Sequence, residues 1–539
     1  MNVIQGVTFS ITREIEARAR DVAQPAQARP PRPQTAARAA RLAAALAGLA
    51  AICAYLFVAL NRIGYPFAIE PLEGNSLVEV HRILAGQPLY PAPTSGYVPD
   101  GYTPLYFYVA AAAARVLGVS YLPLRLVSVL SSLACFALLG RLVQRETGSI
   151  AAGTGAAGLF AATYWVTGTW FDVGRVDSLF LALSIGGLYA ARHMRRTRGA
   201  VAAGLLLAAA ALTKQTGLAE GVAVVAVLMV GPRARLGRVA ALAEFTVFGI
   251  GTLVLRMTSG GWYTYYVFKQ MSEHSLTAGN FGWFCTALLT ATGLALCAAL
   301  LFARRVPREL LAGCAALAFE GCAALVHSGG TVNDVLPAYL AVALLAGLAL
   351  GRDSTSGRAS ARRGAFTRWG SVVPGVLVAA QSVFLLASFH PAQAIPASAA
   401  RTAGERLVAG MRAFGGDVAV PQDPSLTLMA GMAPAAPPGA VYDVLRATDK
   451  GAIASFLNSA EEAITTRKFS AFITSSPGQP LDNPPALAQD YQECVQPVPT
   501  LLMPVPGGRT APVIVWIPTG GMSCQAAFSI LAGGEAARS

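Results

Sequence analysis

The chain has 539 residues, 54% of them hydrophobic and only 13% charged, with a mean hydropathy of +0.51. Soluble domains carry about 25% charged residues, so composition excludes an ordinary soluble protein and points to a membrane protein. The net charge of +13 would suit nucleic acid if it lay on one soluble face. Here the arginines fall in short runs between apolar segments, the pattern of cytoplasmic membrane loops, and no nucleic-acid role is expected.

Residues 1–41 are rich in Arg, Ala and Pro, including Arg13, Arg18, Arg20, Arg29, Arg32, Arg38 and Arg41. They read as a disordered, basic cytoplasmic tail. The tail exceeds an ordinary signal-peptide n-region and no cleavage pattern follows it, so the apolar stretch 42–62 is expected to stay as a signal anchor. A crossing helix needs about 20 apolar residues. By that rule further spans fall near 121–143, 150–170, 176–193, 199–213, 215–231, 238–257, 281–303, 308–327, 335–351 and 368–389.

Charge sets the orientation. The clusters are Arg141 and Arg145; Arg192, Arg195, Arg196 and Arg198; Arg233, Arg235 and Arg238; Arg304, Arg305 and Arg308; and Arg352, Arg358, Arg362, Arg363 and Arg368. All reach the cytoplasmic side if residues 103–118 do not cross, so Leu105 to Leu117 is read as a helix dipping into the outer leaflet. The result is a polytopic α-helical membrane domain (42–390) with about eleven transmembrane helices and a first outer loop at 63–120. Its N-terminus is cytoplasmic. Residues 391–539 then alternate helix-like stretches (401–413, 449–464) with strand-like ones (417–420, 469–474, 513–517). They read as a small extracytoplasmic α/β domain whose role the sequence leaves open between selecting an acceptor and covering a site; no nucleotide-binding glycine motif opens any of its helices.

Eight cysteines are present. Six lie in apolar segments, where cysteine serves as a small hydrophobe. Cys494 and Cys524 lie in the polar C-terminal region, where a disulfide and two free thiols are both open. No spacing resembles a zinc site.

With this topology the outer loops collect the groups able to do chemistry. The first loop supplies Glu70, Glu73, Glu79, His81, Arg82, Asp100, Tyr102 and Tyr106. The second, WFDVGRVD, supplies Asp172, Arg175 and Asp177, and a hairpin turn supplies Lys214 and Gln215. Further along come Tyr263, Tyr265, Tyr266, Lys269, Glu273 and His274, and last His327, Asn333 and Asp334. Carboxylates that remove a hydroxyl proton, beside cations that hold a departing phosphate, suit the transfer of a sugar from a polyprenyl phosphate. Each group also has a purely structural reading. Loop glutamates are usually solvated, Asp177 would cap a helix, Asp172 and Arg175 would pair with each other, and Lys214 would snorkel. His327 and Asn333 would satisfy a loop backbone, and the tyrosines would form an interfacial belt. Glu220, Glu244 and Glu320 fall inside predicted spans, where a charge costs about 3 kcal/mol; they favour a membrane transporter or lipid flippase. No internal repeat supports that alternative. A non-catalytic assembly protein is a further one, and it predicts that the outer acids are dispensable.

At EPLEGN…RILAGQPLY…YTPLYFYV, then RVDSLFLAL, then ALTKQTGL, the chain resembles the GT-C membrane glycosyltransferases. Within them it is similar to bacterial relatives of the dolichyl-phosphate-mannose protein mannosyltransferases and the lipid A aminoarabinose transferase. The resemblance covers roughly residues 42 to 350. Matched on Glu73-Gly74 and on Leu84 to Tyr90, Glu73 takes the place of the acid in the family's first-loop motif. Leu72 stands where aspartate is common, which leaves the general base open between Glu70 and Glu73. Pro104-Leu105-Tyr106 matches a "PPLyy" element with Thr103 in place of the first proline. Asp177 and Lys214 match a second acid and a span-closing lysine.

The resemblance implies an inverting transfer on the outer face of a bacterial-type plasma membrane. The donor would be a polyprenyl-phosphate sugar and the acceptor a lipid, glycan or protein. Glu73 or Glu70 is then the expected base, with Asp177 assisting. Lys214, Arg175, Asp172, Arg82, Tyr102, Tyr106, Lys269, His327 and Asn333 are the candidates for the donor phosphate and substrate. No cofactor or metal is expected, although the outer acids leave a divalent ion open. Glu73→Gln is expected to abolish transfer at unchanged protein level.

Overall fold

The computed structural model describes residues 33–303, 306–351, 372–475, 481, 487–496, 498 and 500–533. Most of the basic tail, Arg304 and Arg305, and the cluster from Arg352 to Arg368 lie outside the described residues.

Each of the eleven apolar segments contains a helix: α1 (Pro33–Arg62), α4 (Tyr121–Thr147), α5 (Ile150–Ala162), α6 (Asp177–His193), α7 (Thr197–Thr213), α8 (Gly217–Met229), α9 (Ala234–Thr258), α10 (Ala278–Phe302), α11 (Arg308–Val326), α12 (Leu336–Leu350) and α13 (Val373–Ala387). The first outer loop carries α2 (Glu73–Leu84) and α3 (Leu105–Leu117). Six helices are long and apolar enough to cross a bilayer unaided, and a seventh results if Val373–Ala387 and the bent segment after it count as one. Several others, α5 to α8 among them, are shorter. The chain is a multi-pass membrane protein. Two boundaries differ from the sequence reading. Helix α1 starts at Pro33 rather than 42, because the Ala- and Arg-rich stretch before the apolar run is itself a strong helix former. The segment read as 150–170 is helical only to Ala162 and then turns into a 3-10 element at Trp170–Asp172.

Small residues bring the helices together. A Cβ on Gly158 of α5 would lie 2.0 Å from the Gly48 Cα of α1, and one on Gly153 would lie 2.3 Å from the Gly140 carbonyl oxygen of α4. Lipid gives no hydrophobic drive between helices, so such backbone approach supplies the van der Waals packing that does. Leu105–Leu117 spans about 20 Å at 1.5 Å per residue, short of the roughly 30 Å hydrocarbon core. It leaves Tyr108, Val109, Val116 and Leu117 exposed.

The C-terminal domain begins after a short turn with α14 (Ser398–Phe414). It continues through β1 (Val418–Ala419), α15 (Pro424–Met429), α16 (Pro438–Leu445), α17 (Lys450–Thr465), β2 (Ala471–Thr474), β3 (Tyr491–Val495), β4 (Leu502–Val505), β5 (Arg509–Pro512), β6 (Ile514–Pro518) and α18 (Cys524–Leu531). Four strands form one sheet in the order β1-β2-β6-β3, with β1 and β2 parallel and the other pairs antiparallel. Strands β4 and β5 form a separate antiparallel hairpin. Cys494 and Cys524 are joined by a disulfide that ties β3 to α18.

This domain sits directly on the outer loops and helix ends of the membrane domain. Tyr121 donates to Ser425 at 2.6 Å, Thr448 N–H to Glu273 at 2.7 Å, and Lys269 to Asp449 at 2.6 Å. The approach is close at Gly74, where an added Cβ would lie 2.5 Å from an Asp423 carboxylate oxygen.

Candidate active site

The topology sorts charge to two ends. Helix α6 begins at Asp177 and ends beside Arg192; α7 returns from Thr197 to Lys214. At 1.5 Å per residue each covers about 25 Å. Arg192 and Arg233 therefore pair with Glu146 and Glu309 at one end, while Asp177 and Lys214 meet at the other.

At that second end is a cavity of about 630 Å³ between the membrane helices and the C-terminal domain. Glu70, Asp100, Tyr102, Arg175 and Lys214 line it from the membrane side, His274, His327, Asn333 and Asp334 from the later loops, and Tyr442, Asp443 and Arg446 from the C-terminal domain.

Two buried cations organise the membrane side. Arg175 holds Asp100 at 3.0 Å and the Tyr102 hydroxyl at 3.1 Å, with its Nε 3.6 Å from Glu70 Oε2. Lys214 Nζ bridges Asp177 at 2.9 Å and Asp334 at 3.2 Å. Burial works against both cations, but Tyr102, Glu70 and Asp100 around Arg175, and Asp177 and Asp334 around Lys214, more than compensate and hold each above its ordinary pKa. An ammonium has three N–H groups, and these bridges engage two of them, with the Tyr102 ring 6.0 Å from the nitrogen. Asp177 is oriented in turn by Trp170 Nε1 at 2.9 Å. Its helix starts with Val176 in the cap position and no side-chain cap, so Asp177 serves Lys214 instead. Asp172 and Arg175 do not pair with each other, and Lys214 is 5% exposed rather than snorkelling.

The two first-loop glutamates part company. Glu70 lines the cavity, accepts from Leu72 N–H at 3.0 Å, and is pushed by burial up to about 7, with Arg175 opposing the rise. Glu73 does not line the cavity. It is fully buried, gripped by Arg125 through both oxygens at 2.8 Å, and accepts from the Gly174 and Ile69 backbone N–H groups. Burial opposes its charge, but Arg125 and these hydrogen bonds hold its carboxyl below the usual carboxylate range. Behind Asp100, Glu79 accepts its backbone N–H at 2.9 Å; burial and the Asp100 charge raise Glu79 well above the usual range.

Four other candidates also lie away from the cavity. Asp172 is bound by Arg62 and Tyr164. Arg82 donates to the Pro88 carbonyl and lies over the Tyr97 ring. Tyr106 is buried and donates to the Leu124 carbonyl. Lys269 pairs with Asp449 on the surface. Each is engaged by a partner outside the cavity, two of them far away in the chain (Arg62 for Asp172 and Asp449 for Lys269), which the sequence alone does not reveal. Tyr263, Tyr265 and Tyr266 pack in the interior rather than in an exposed belt.

The opposite wall was not foreseen from sequence. Arg446 caps the end of α16 and reaches Asp443 at 2.5 Å, His274 Nδ1 at 3.0 Å and the Ser328 hydroxyl at 3.1 Å. Burial, reinforced by Arg446, lowers His274 to about 4, so its ring is neutral at pH 7. Among the described residues no group of three or more His, Cys, Asp or Glu is arranged to hold a metal ion.

Against this geometry stand the comparisons. A family model described as dolichyl-phosphate-mannose-protein mannosyltransferase matches residues 99–263. Among solved structures, the chain is similar to ArnT from Cupriavidus metallidurans bound to undecaprenyl phosphate, with a TM-score of 0.59 at 15% identity. That match covers 88% of this chain and 99% of the other. The apo state of the same ArnT gives 0.57 at 14% identity, covering 87% and 97%. The chain has the GT-C fold. No curated protein matches it in sequence. The family-model match begins after Glu70 and Glu73, so the division of labour between these two within the GT-C fold rests on their geometry.

Proposed function

We propose that this protein is a membrane glycosyltransferase that moves a sugar from a polyprenyl-phosphate donor to a hydroxyl acceptor, with inversion, on the extracytoplasmic face. The observation that carries this reading is Glu70, a carboxyl raised to about 7, in one cavity with the buried cations Arg175 and Lys214. A base tuned near ambient pH removes a hydroxyl proton most efficiently. The acceptor oxygen attacks the anomeric carbon as its proton passes to Glu70. The bond from that carbon to the phosphate oxygen breaks on the opposite face. Lys214 and Arg175 take the charge that develops on the leaving phosphate. Tyr102, Asn333 and His327 line the same cavity and border the sugar. Asp177 and Asp334 hold Lys214 in place. The GT-C fold and the likeness to an ArnT bound to undecaprenyl phosphate support the donor class. The arginine pairs at the far end of α6 support a cytoplasmic side opposite the cavity.

The test is glycan and lipid-linked sugar analysis of a deletion strain carrying wild type, Glu70→Gln or Lys214→Gln. Accumulation of a polyprenyl-phosphate sugar with loss of one glycan, reversed by wild type only, is expected. Full rescue by both variants would overturn the reading.

One observation favours a second reading, transport. Glu220, Glu244 and Glu320 come from three helices to one buried place. Glu320 accepts the Glu220 backbone N–H at 3.1 Å, and a Cβ on Gly221 would overlap the Glu244 carboxylate. Loss of function on replacing these three, with Glu70→Gln fully active, would select it.

A further inference from the structure

A second cavity, of about 310 Å³, adjoins the first. Pro71, Leu72 and Gly439 line both, so the two spaces share the wall that follows Glu70. Most of the second cavity is rigid and apolar, formed by Pro71, Pro437, Pro438, Pro504, Pro506 and Met503. One edge is polar. Gln422, Asp423 and Ser475 stand there, just past the carboxyl ends of the parallel strands β1 and β2. In open α/β sheets that is where ligands settle. The edge is held by its own hydrogen bonds: Gln422 Oε1 accepts both the Ser475 N–H and hydroxyl at 2.8 Å, and Asp423 accepts from Ser425.

Among the described residues lining this cavity there is no lysine, arginine or histidine, and there is one buried carboxyl, Asp423. A phosphate-bearing group would meet no compensating charge there and would face a carboxylate. A sugar ring fits the chemistry: its C–H faces lie on proline rings, and its hydroxyls reach an amide, a carboxyl and a serine. We propose that this cavity is an acceptor subsite that binds one ring of a neutral glycan, so that the hydroxyl to be glycosylated extends past Leu72 to Glu70. Its role as an acceptor site rests on the glycosyltransferase reading; the binding itself does not.

The experiment uses the full chain in nanodiscs free of sugar lipids. Saturation-transfer NMR is recorded with methyl glycosides of glucose, mannose, galactose and arabinose, and with the corresponding sugar 1-phosphates. The expected result is millimolar binding of at least one methyl glycoside, no tighter binding of its phosphate, and at least tenfold weakening in Gln422→Ala/Ser475→Ala. Val505→Trp, which fills the space from the β4–β5 hairpin, should weaken binding equally, so a folding defect of the first variant would not hide the answer. Glu70→Gln should bind the glycosides normally. Binding by none of the methyl glycosides, binding untouched by both cavity variants, or preference for the phosphates would overturn the proposal. Normal glycoside binding together with full transfer by Glu70→Gln would instead leave the subsite standing and remove the proposed base.

Discussion

At Glu70 and Glu73 a short stretch of chain carries one carboxyl to the cavity and the other into a closed ion pair. Leu72 takes the cap position of α2, so Glu73 enters the first helical turn and faces Arg125, while Glu70 remains on the loop beside Arg175. Their variants should fail in different ways. Glu70→Gln should lower the transfer rate about a hundred- to ten-thousandfold with thermal unfolding unchanged, as measured on purified protein. In wild type, kcat/KM should rise with pH through about 7, because the base must lose its proton, and this limb should vanish in Glu70→Gln. Glu73→Gln leaves a buried guanidinium without its charge partner, and removing one member of a buried pair costs about 3–5 kcal/mol. The expectation of normal protein level for that variant is therefore revised to a clear drop in folded yield and melting temperature. Folding holds the Glu73 carboxyl below 4.5, so this stabilisation is complete above that pH and declines as pH falls toward the lowered value.

Among the elements, the α6–α7 pair shows what sequence can convey. Asp177 and Lys214 stand out because each charged residue borders a long apolar run, and a helical hairpin brings the two run-ends together. Arg175 could be read for the same reason. Arg82, Asp172 and Lys269 also stand in loops between apolar segments yet lie away from the cavity, because charge contrast marks a loop but not the direction in which a side chain points. The C-terminal helices and strands at 401–413, 449–464, 417–420, 469–474 and 513–517 were legible from periodicity, whereas β3 and the β4–β5 hairpin, broken by prolines and charges, were not. Packing between helices allows a direct test. Gly158→Leu drives a side chain into the Gly48 backbone, so overpacking should cost about 1–3 kcal/mol or more and separate α1 from α5. Gly249→Leu, where no atom lies within 4 Å of the new Cβ, is the control. Thermal unfolding of the two in the same detergent should show a loss only for Gly158→Leu.

The whole molecule explains why one side of the cavity wall was invisible in the sequence. Tyr442, Asp443 and Arg446 are ordinary surface residues of a small α/β domain until that domain docks on Gly74 and Tyr121. Docking depends on tertiary complementarity, which leaves no local signature. The disulfide supports it at a distance. Cys494 and Cys524 are 30 residues apart, and closing such a loop is worth about 3–4 kcal/mol on chain-entropy arguments. Replacing both with serine should make the C-terminal domain sensitive to protease at a lower temperature than the helices, with transfer lost at that same temperature.

Arg446 and Asp443 also set a condition on synthesis. They stand more than 400 residues into the chain, behind every apolar segment, yet they close a cavity whose first residue is Glu70. While the ribosome is still extending the chain, the carboxyl at Glu70 faces an unfinished chamber open to water. A chain halted before α16 would carry Glu70 and both buried cations and still lack one side of the cavity. On the proposed reading, completion of the polypeptide is the step that closes the site, and a chain ending before α16 is expected to show no transfer when assayed beside the full chain.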